Sequence, residues 1–207
     1  MKQILAFGDS NTWGLIPGSG GRYPEHIRWT GILQKAVAPY GYRVLEDGVC
    51  GRTTVFRDPF RSGRKGVDSL GQYKTGNLSA AILMLGTNDC KTVFRASPEQ
   101  IGSGLEQCLD RLEELVPASR ILVVSPPLLG RDVWRPEKDP AFDRQSVRTS
   151  KALREVYRSV AARRGNLFMA ASDYAAASRA DEEHLNAEGH ERLAAAVWKK
   201  LRESVLF

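Results

Sequence analysis

Ile4-Leu5-Ala6-Phe7 runs without a break into Gly8-Asp9-Ser10-Asn11-Thr12-Trp13-Gly14. Four apolar residues with no polar alternation suit a strand buried on both faces, and the Gly and Asp behind them end it. Four more short runs follow: Arg43-Val44-Leu45, Ala80-Ala81-Ile82-Leu83-Met84-Leu85, Ile121-Leu122-Val123-Val124 and Leu167-Phe168-Met169. Between them the apolar spacing becomes helical. Trp29, Ile32, Leu33, Ala36 and Val37 share one face, as do Leu105, Cys108, Leu109, Leu112 and Leu115. Leu153, Val156, Tyr157, Val160 and Ala161 mark a third helix, and Leu193, Val197 and Leu201 a last one. Ser97 with Pro98 and Gln100 has the pattern of a capping box, and Asn186 is placed to cap the last helix. Strands alternating with helices predict a three-layer α/β/α sandwich around a five-stranded parallel sheet, flavodoxin-like, as one domain over residues 1–207.

The bulk composition agrees with this. Of the 207 residues, 42% are hydrophobic and 26% charged, which excludes a disordered tail, a collagen and a membrane protein. No apolar run approaches the ~20 residues of a spanning helix. The start, MKQILAFGDS, turns polar too soon for a signal peptide, so a cytoplasmic location is expected. Cys50, Cys90 and Cys108 form no C-x-x-C and read as reduced, buried thiols, with no metal site and no cofactor expected. The net charge is +6, and Arg52, Arg57, Arg61, Arg64, Lys65 and Lys74 alternate with Phe56, Phe60 and Tyr73. Such a stretch can face nucleic acid; a solvated, subunit-contacting or substrate-facing loop is the commoner use, and no nucleic-acid partner is expected.

Residues 51–78 and 126–142 break the alternation and follow strands. In an open α/β sheet the loops after strand ends form the binding crevice, so both segments are expected to shape the pocket. Ser10 lies in such a turn. It either caps the next helix or serves as a nucleophile beside helix-start N–H groups. A serine nucleophile needs a base and a group that orients the base. His184 in Asp181-Glu182-Glu183-His184 offers both, since a carboxylate three residues back can reach the imidazole in a turn. His190 reads as a surface or helix-face residue and His26 as solvated. Gly48 to Thr54 and Gly86-Thr87-Asn88-Asp89 follow the second and third strands and hold backbone and amide donors suited to an oxyanion hole, or are simply turns. The sequence contains no G-x-S-x-G, H-E-x-x-H, Walker A or G-x-G-x-x-G motif.

The ordered set of Gly8-Asp9-Ser10, Gly48-x-x-Gly51, Gly86-Thr87-Asn88-Asp89 and Asp181-x-x-His184 resembles the SGNH, or GDSL, hydrolases. Arg28-Trp29-Thr30-Gly31, Arg52-Thr53-Thr54 and Val124-Ser125-Pro126-Pro127 look most like the arylesterase and acyltransferase branch. The resemblance implies an esterase acting on small esters, without metal or organic cofactor. In it Ser10 is the nucleophile, His184 the general base, and Asp181 its orienting partner. The Ser10 and Gly51 N–H groups and the Asn88 amide form the oxyanion hole. It also implies homo-oligomers. Gly48 is expected only to permit its turn, and Asp9 to fix loop geometry. Cys50 stands where the family usually has Ser. Glu182 and Glu183 replace Gly or apolar residues, and an acid beside the base should raise its pKa. Trp13, Phe94, Leu128, Leu129 and Leu185 lie near the functional turns in sequence and are expected to line an acyl pocket. The compact chain favours short acyl groups such as acetyl. A sugar acetylesterase, a thioesterase, an acyltransferase and a silent carbohydrate-binding relative share the same frame.

Overall fold

In a computed structural model, residues 1–74, 76 and 78–204 are described. Five strands form one sheet: β1 (Lys2–Gly8), β2 (Tyr42–Gly48), β3 (Leu78–Met84), β4 (Ile121–Ser125) and β5 (Leu167–Ala170). Every pairing is parallel and the order is β2-β1-β3-β4-β5. This is the flavodoxin-type order, whose crevice opens where the winding reverses, between β1 and β3.

The unbroken apolar runs follow from burial on both faces. Leu5, Phe7, Ala81, Leu83, Ile121 and Val123 point into one core. The residues between them, Ile4, Ala6, Ala80, Ile82, Leu122 and Val124, point into the other. The first core is covered by α3 (Gly66–Leu70), α4 (Pro98–Glu113) and α5 (Arg144–Arg164), and the second by α2 (Trp29–Val37) and α6 (Ala187–Ser204). The Ser97–Gln100 capping box opens α4, and Asn186 Oδ1 accepts the Gly189 N–H at the start of α6. His190, read as a surface or helix-face residue, lies on a helix face but not at the surface. It is fully buried on α6, its Nδ1 accepts the Trp29 N–H at 3.3 Å, and it packs edge-on against Tyr23.

A one-turn helix, α1 (Ser10–Trp13), follows β1. Asp9, not Ser10, caps it, with its Oδ1 accepting the Asn11 N–H at 2.9 Å. The helix rests on two glycines, Gly8 and Gly48, that face each other across the β1/β2 pair. Gly48 does not serve by adopting a left-handed turn, since its φ is not positive. It is needed for close approach: a Cβ there would lie within 2.6 Å of Thr12 C and Trp13 Cα. Backbone atoms cannot swing aside as a side chain can. Gly48→Ala is therefore expected to lower stability by about 1–3 kcal/mol, read as a lower urea midpoint. An unchanged midpoint would mean that α1 is free to shift.

Candidate active site

The turns after β1, β2 and β3 leave the same edge of the sheet and are stitched together there. The Val49 N–H donates to Gly8 O at 3.2 Å. Asn88 Nδ2 donates to Arg52 O at 3.1 Å, and Asp89 Oδ1 accepts from Thr54 N at 2.9 Å and Thr54 Oγ1 at 2.5 Å. Arg52 is buried. Its guanidinium donates to Gly8 O, Asp47 O and Asp47 Oδ1 at 3.0, 2.6 and 2.8 Å and lies over the Phe7 ring. This frame ties together the turns that carry Ser10, Gly51 and Asn88. Gly51 has φ +81°, a left-handed conformation that side chains resist. Neither its N–H nor that of Ser10 meets an acceptor among the described residues.

The fourth component arrives from the far end of the chain. Asn11 Nδ2 donates to Glu183 O at 3.3 Å, and Asn11 Oδ1 accepts the Leu185 N–H at 2.9 Å. One amide thus grips the backbone on both sides of His184. The Ser178–Leu185 turn is held further by Gly18 N donating to Asp181 Oδ2 and Gly130 N donating to Glu182 O. Glu182 has φ +59°, a left-handed conformation that glycine adopts more readily. Its side chain turns away from the imidazole, to Lys138 Nζ and the Asp132 N–H.

The outcome is a linear array. Ser10 Oγ lies 2.8 Å from His184 Nε2, and His184 Nδ1 lies 2.8 Å from Asp181 Oδ2. A carboxylate only accepts, so Nδ1 carries the proton and Nε2 is free to accept the Ser10 hydroxyl. Ser10 is 3% and His184 8% exposed. Burial works to lower the His184 pKa; the Asp181 hydrogen bond, with the Glu183, Asp181 and Asp9 charges, outweighs it and raises the group above 6.5. Burial likewise works to raise Asp181, and its bonds to the His184 ring and backbone overcome it, leaving the carboxyl low. Asp9 is pushed up to about 7 by complete burial. Burial, then Asp9, raises the pKa of the Cys50 thiol against the pull of Arg64 and Arg61.

Of the expected pocket residues, Trp13, Phe94 and Leu128 are half-buried, and Phe94 packs against Phe56. Leu185 and Leu129 do not line a pocket: both are core residues, Leu185 at 0% exposure beneath α6. Leu185 follows His184 in sequence, but successive side chains diverge. The basic, aromatic stretch also separates. Phe56 and Tyr73 pack on the core, and Arg52, Arg61 and Lys65 pair with Asp47, Asp58 and Asp68. Only Phe60, 87% exposed, is left for stacking. A cavity of about 970 Å³ lies between residues 90–98 and the start of α5, and none of Ser10, Gly51, Asn88, Asp181 and His184 lines it. Asn11, Arg52 and Asp89 were not singled out from sequence as site builders; the string Gly8-Asp9-Ser10-Asn11 was the available signal.

The sequence matches the GDSL-like lipase/acylhydrolase family over residues 6–192. The chain belongs to that family and is a carboxylic ester hydrolase. Among solved structures it is similar to Est24, a carbohydrate acetylesterase from Sinorhizobium meliloti. The two are 32% identical over 98% of this chain and 99% of that one, with a TM-score of 0.86. It is also similar to an aryl esterase of M. smegmatis, 29% identical over 99% and 100%, TM-score 0.87. A carbohydrate acetylesterase family member from Sinorhizobium meliloti is 27% identical over the full length of both, TM-score 0.88. No curated protein sequence matches significantly.

The imidazole offers a direct check on these electrostatics. In an NMR titration His184 should have a midpoint above 6.5, and His190, lowered by burial and by Arg28, one of about 4. Removing the neighbouring anion in Glu183→Gln should move the His184 midpoint down. A midpoint that stays put would mean the Glu183 carboxyl carries no charge beside it.

Proposed function

We propose that Ser10 attacks the carbonyl of short-chain esters, acetyl-type above all, to form an acyl-enzyme that water releases. The observation that carries this reading is the 2.8 Å contact of Ser10 Oγ with a His184 Nε2 whose far nitrogen is held by Asp181. His184 takes the Ser10 proton and returns it to the leaving alcohol, and Asp181 stabilises the imidazolium between these steps. The Ser10 and Gly51 N–H groups and the Asn88 amide then receive the oxyanion. Among the described residues Gly51 N–H and Ser10 N–H are unengaged, and Asn88 Nδ2 is anchored by one hydrogen to Arg52 O, leaving its second for the substrate.

Trp13, Phe94 and Leu128, all half-buried, are the residues assigned to the acyl pocket in this reading. Sugar acetates are the substrate class favoured by the likeness to two carbohydrate acetylesterases. The same acyl-enzyme can pass to an alcohol, so acyl transfer belongs to this reading. We further propose a cytoplasmic homo-oligomer. No helix among the described residues is long and apolar enough to cross a membrane, and the three cysteines are unpaired. Phe60 and Val93 expose apolar surface on the loops beside the site, as a subunit contact requires.

Release of p-nitrophenol should be fastest from the acetate, slower from the butyrate and slowest from the octanoate, and absent in Ser10→Ala. Asn88→Ala should cut kcat by ~10²–10³. Full turnover by either variant would refute the assignment.

A further inference from the structure

Glu183 is a buried acid that the mechanism above does not use. Its side chain is 7% exposed, and no hydrogen-bond donor among the described residues reaches its carboxylate. A carboxylate in so confined a place, with no such donor, depends on water for its partners. Its Oε1 lies 3.7 Å from His184 Nε2, the nitrogen that faces Ser10. That gap is too long for a hydrogen bond. It suits an oxygen seated beside the line between the two atoms and bonded to both.

We propose that Glu183 holds the water that hydrolyses the acyl-enzyme and thereby selects water over alcohols as the acyl acceptor. The inference deepens the Ser10 esterase reading and rests on it. Water has two O–H bonds to place. One points at Nε2, which takes the proton as the oxygen attacks the acyl carbon. The other donates to Glu183 Oε1 and stays with the product acid. The tetrahedral intermediate collapses by breaking the bond from the acyl carbon to Ser10 Oγ, and the proton on Nε2 passes to that Oγ. An alcohol has a single O–H, which Nε2 must receive. Its alkyl group then falls where the second hydrogen of water would be, against a buried carboxylate that offers it nothing. Lys91 and Asp139 lie close enough to Glu183 for their charges to act on it in opposite senses.

The test is the partition of one acyl-enzyme between two acceptors. Full-length parent, Glu183→Gln and Glu183→Ala are mixed with p-nitrophenyl acetate and a fixed excess of 1-propanol. The p-nitrophenol burst reports acylation, and gas chromatography reports propyl acetate against acetate. We expect the ester-to-acid ratio to rise about tenfold in Glu183→Ala, with deacylation by water slowed more than acylation. Glu183→Gln keeps an accepting oxygen at the same size and should show a smaller rise in the same direction; it carries the comparison should the alanine variant fail to fold. A ratio within about twofold of the parent in the folded variants would overturn the proposal. So would an equal loss of acylation and deacylation, the mark of an effect on the imidazole alone. A burst that survives Ser10→Ala would instead strike the esterase reading, and this inference with it.

Discussion

The side-chain amide of Asn11 holds the site together. It donates to Glu183 O and accepts from the Leu185 N–H, so the residue between them, His184, has its backbone fixed on both sides. Both bonds are buried, where a lost partner leaves a polar group with no water to turn to. Asn11 is itself immobile because Asp9 caps its helix and the Gly8–Gly48 pair lets that helix sit on the strand ends. The 2.8 Å contact between Ser10 and His184 is thus set by backbone anchoring.

Three buried ionisable groups around this anchor pull stability in opposite directions with pH. Burial raises Asp9 to about 7 and Asp89 to about 6, so both favour the folded state below the ordinary carboxylate value of 3.8 and lose that contribution as pH climbs through their folded values. His190 is lowered to about 4 from 6.5. It favours the folded state above 6.5 and loses that contribution as pH falls toward 4. Two carboxyls against one imidazole leave the site region more tolerant of mild acid than the buried histidine alone would allow.

What could be read in the sequence was whatever repeats with a short period. The five strands and the helices α2, α4, α5 and α6 carry apolar spacings that only one backbone geometry satisfies, and the Ser97–Gln100 box marks its own helix start. The one-turn α1 is too short to have a period. Long-range partnerships leave no local trace either: Asn11 finds its partners 172 and 174 residues away, and Asp89 meets Thr54 35 residues back. Leu185 and His190 show the opposite failure. Adjacency to His184 suggested a pocket for the first, and a polar side chain suggested a surface for the second, but packing beneath α6 and against α2 decides both.

The two halves of the proposed reactive pair, Ser10 and His184, are 174 residues apart. A ribosome releases Ser10 with the first strand and His184 only after the fifth. Through most of synthesis the growing chain carries the serine with nothing to activate it, and the Asn11 grip has no turn to close on. On the proposed mechanism, chemical competence arrives in a late step, when the Ser178–Leu185 turn docks after the fifth strand. On that mechanism a chain that stalls or is clipped before the turn stays inert toward esters, so the topology would confine reactivity to molecules whose sheet is already complete.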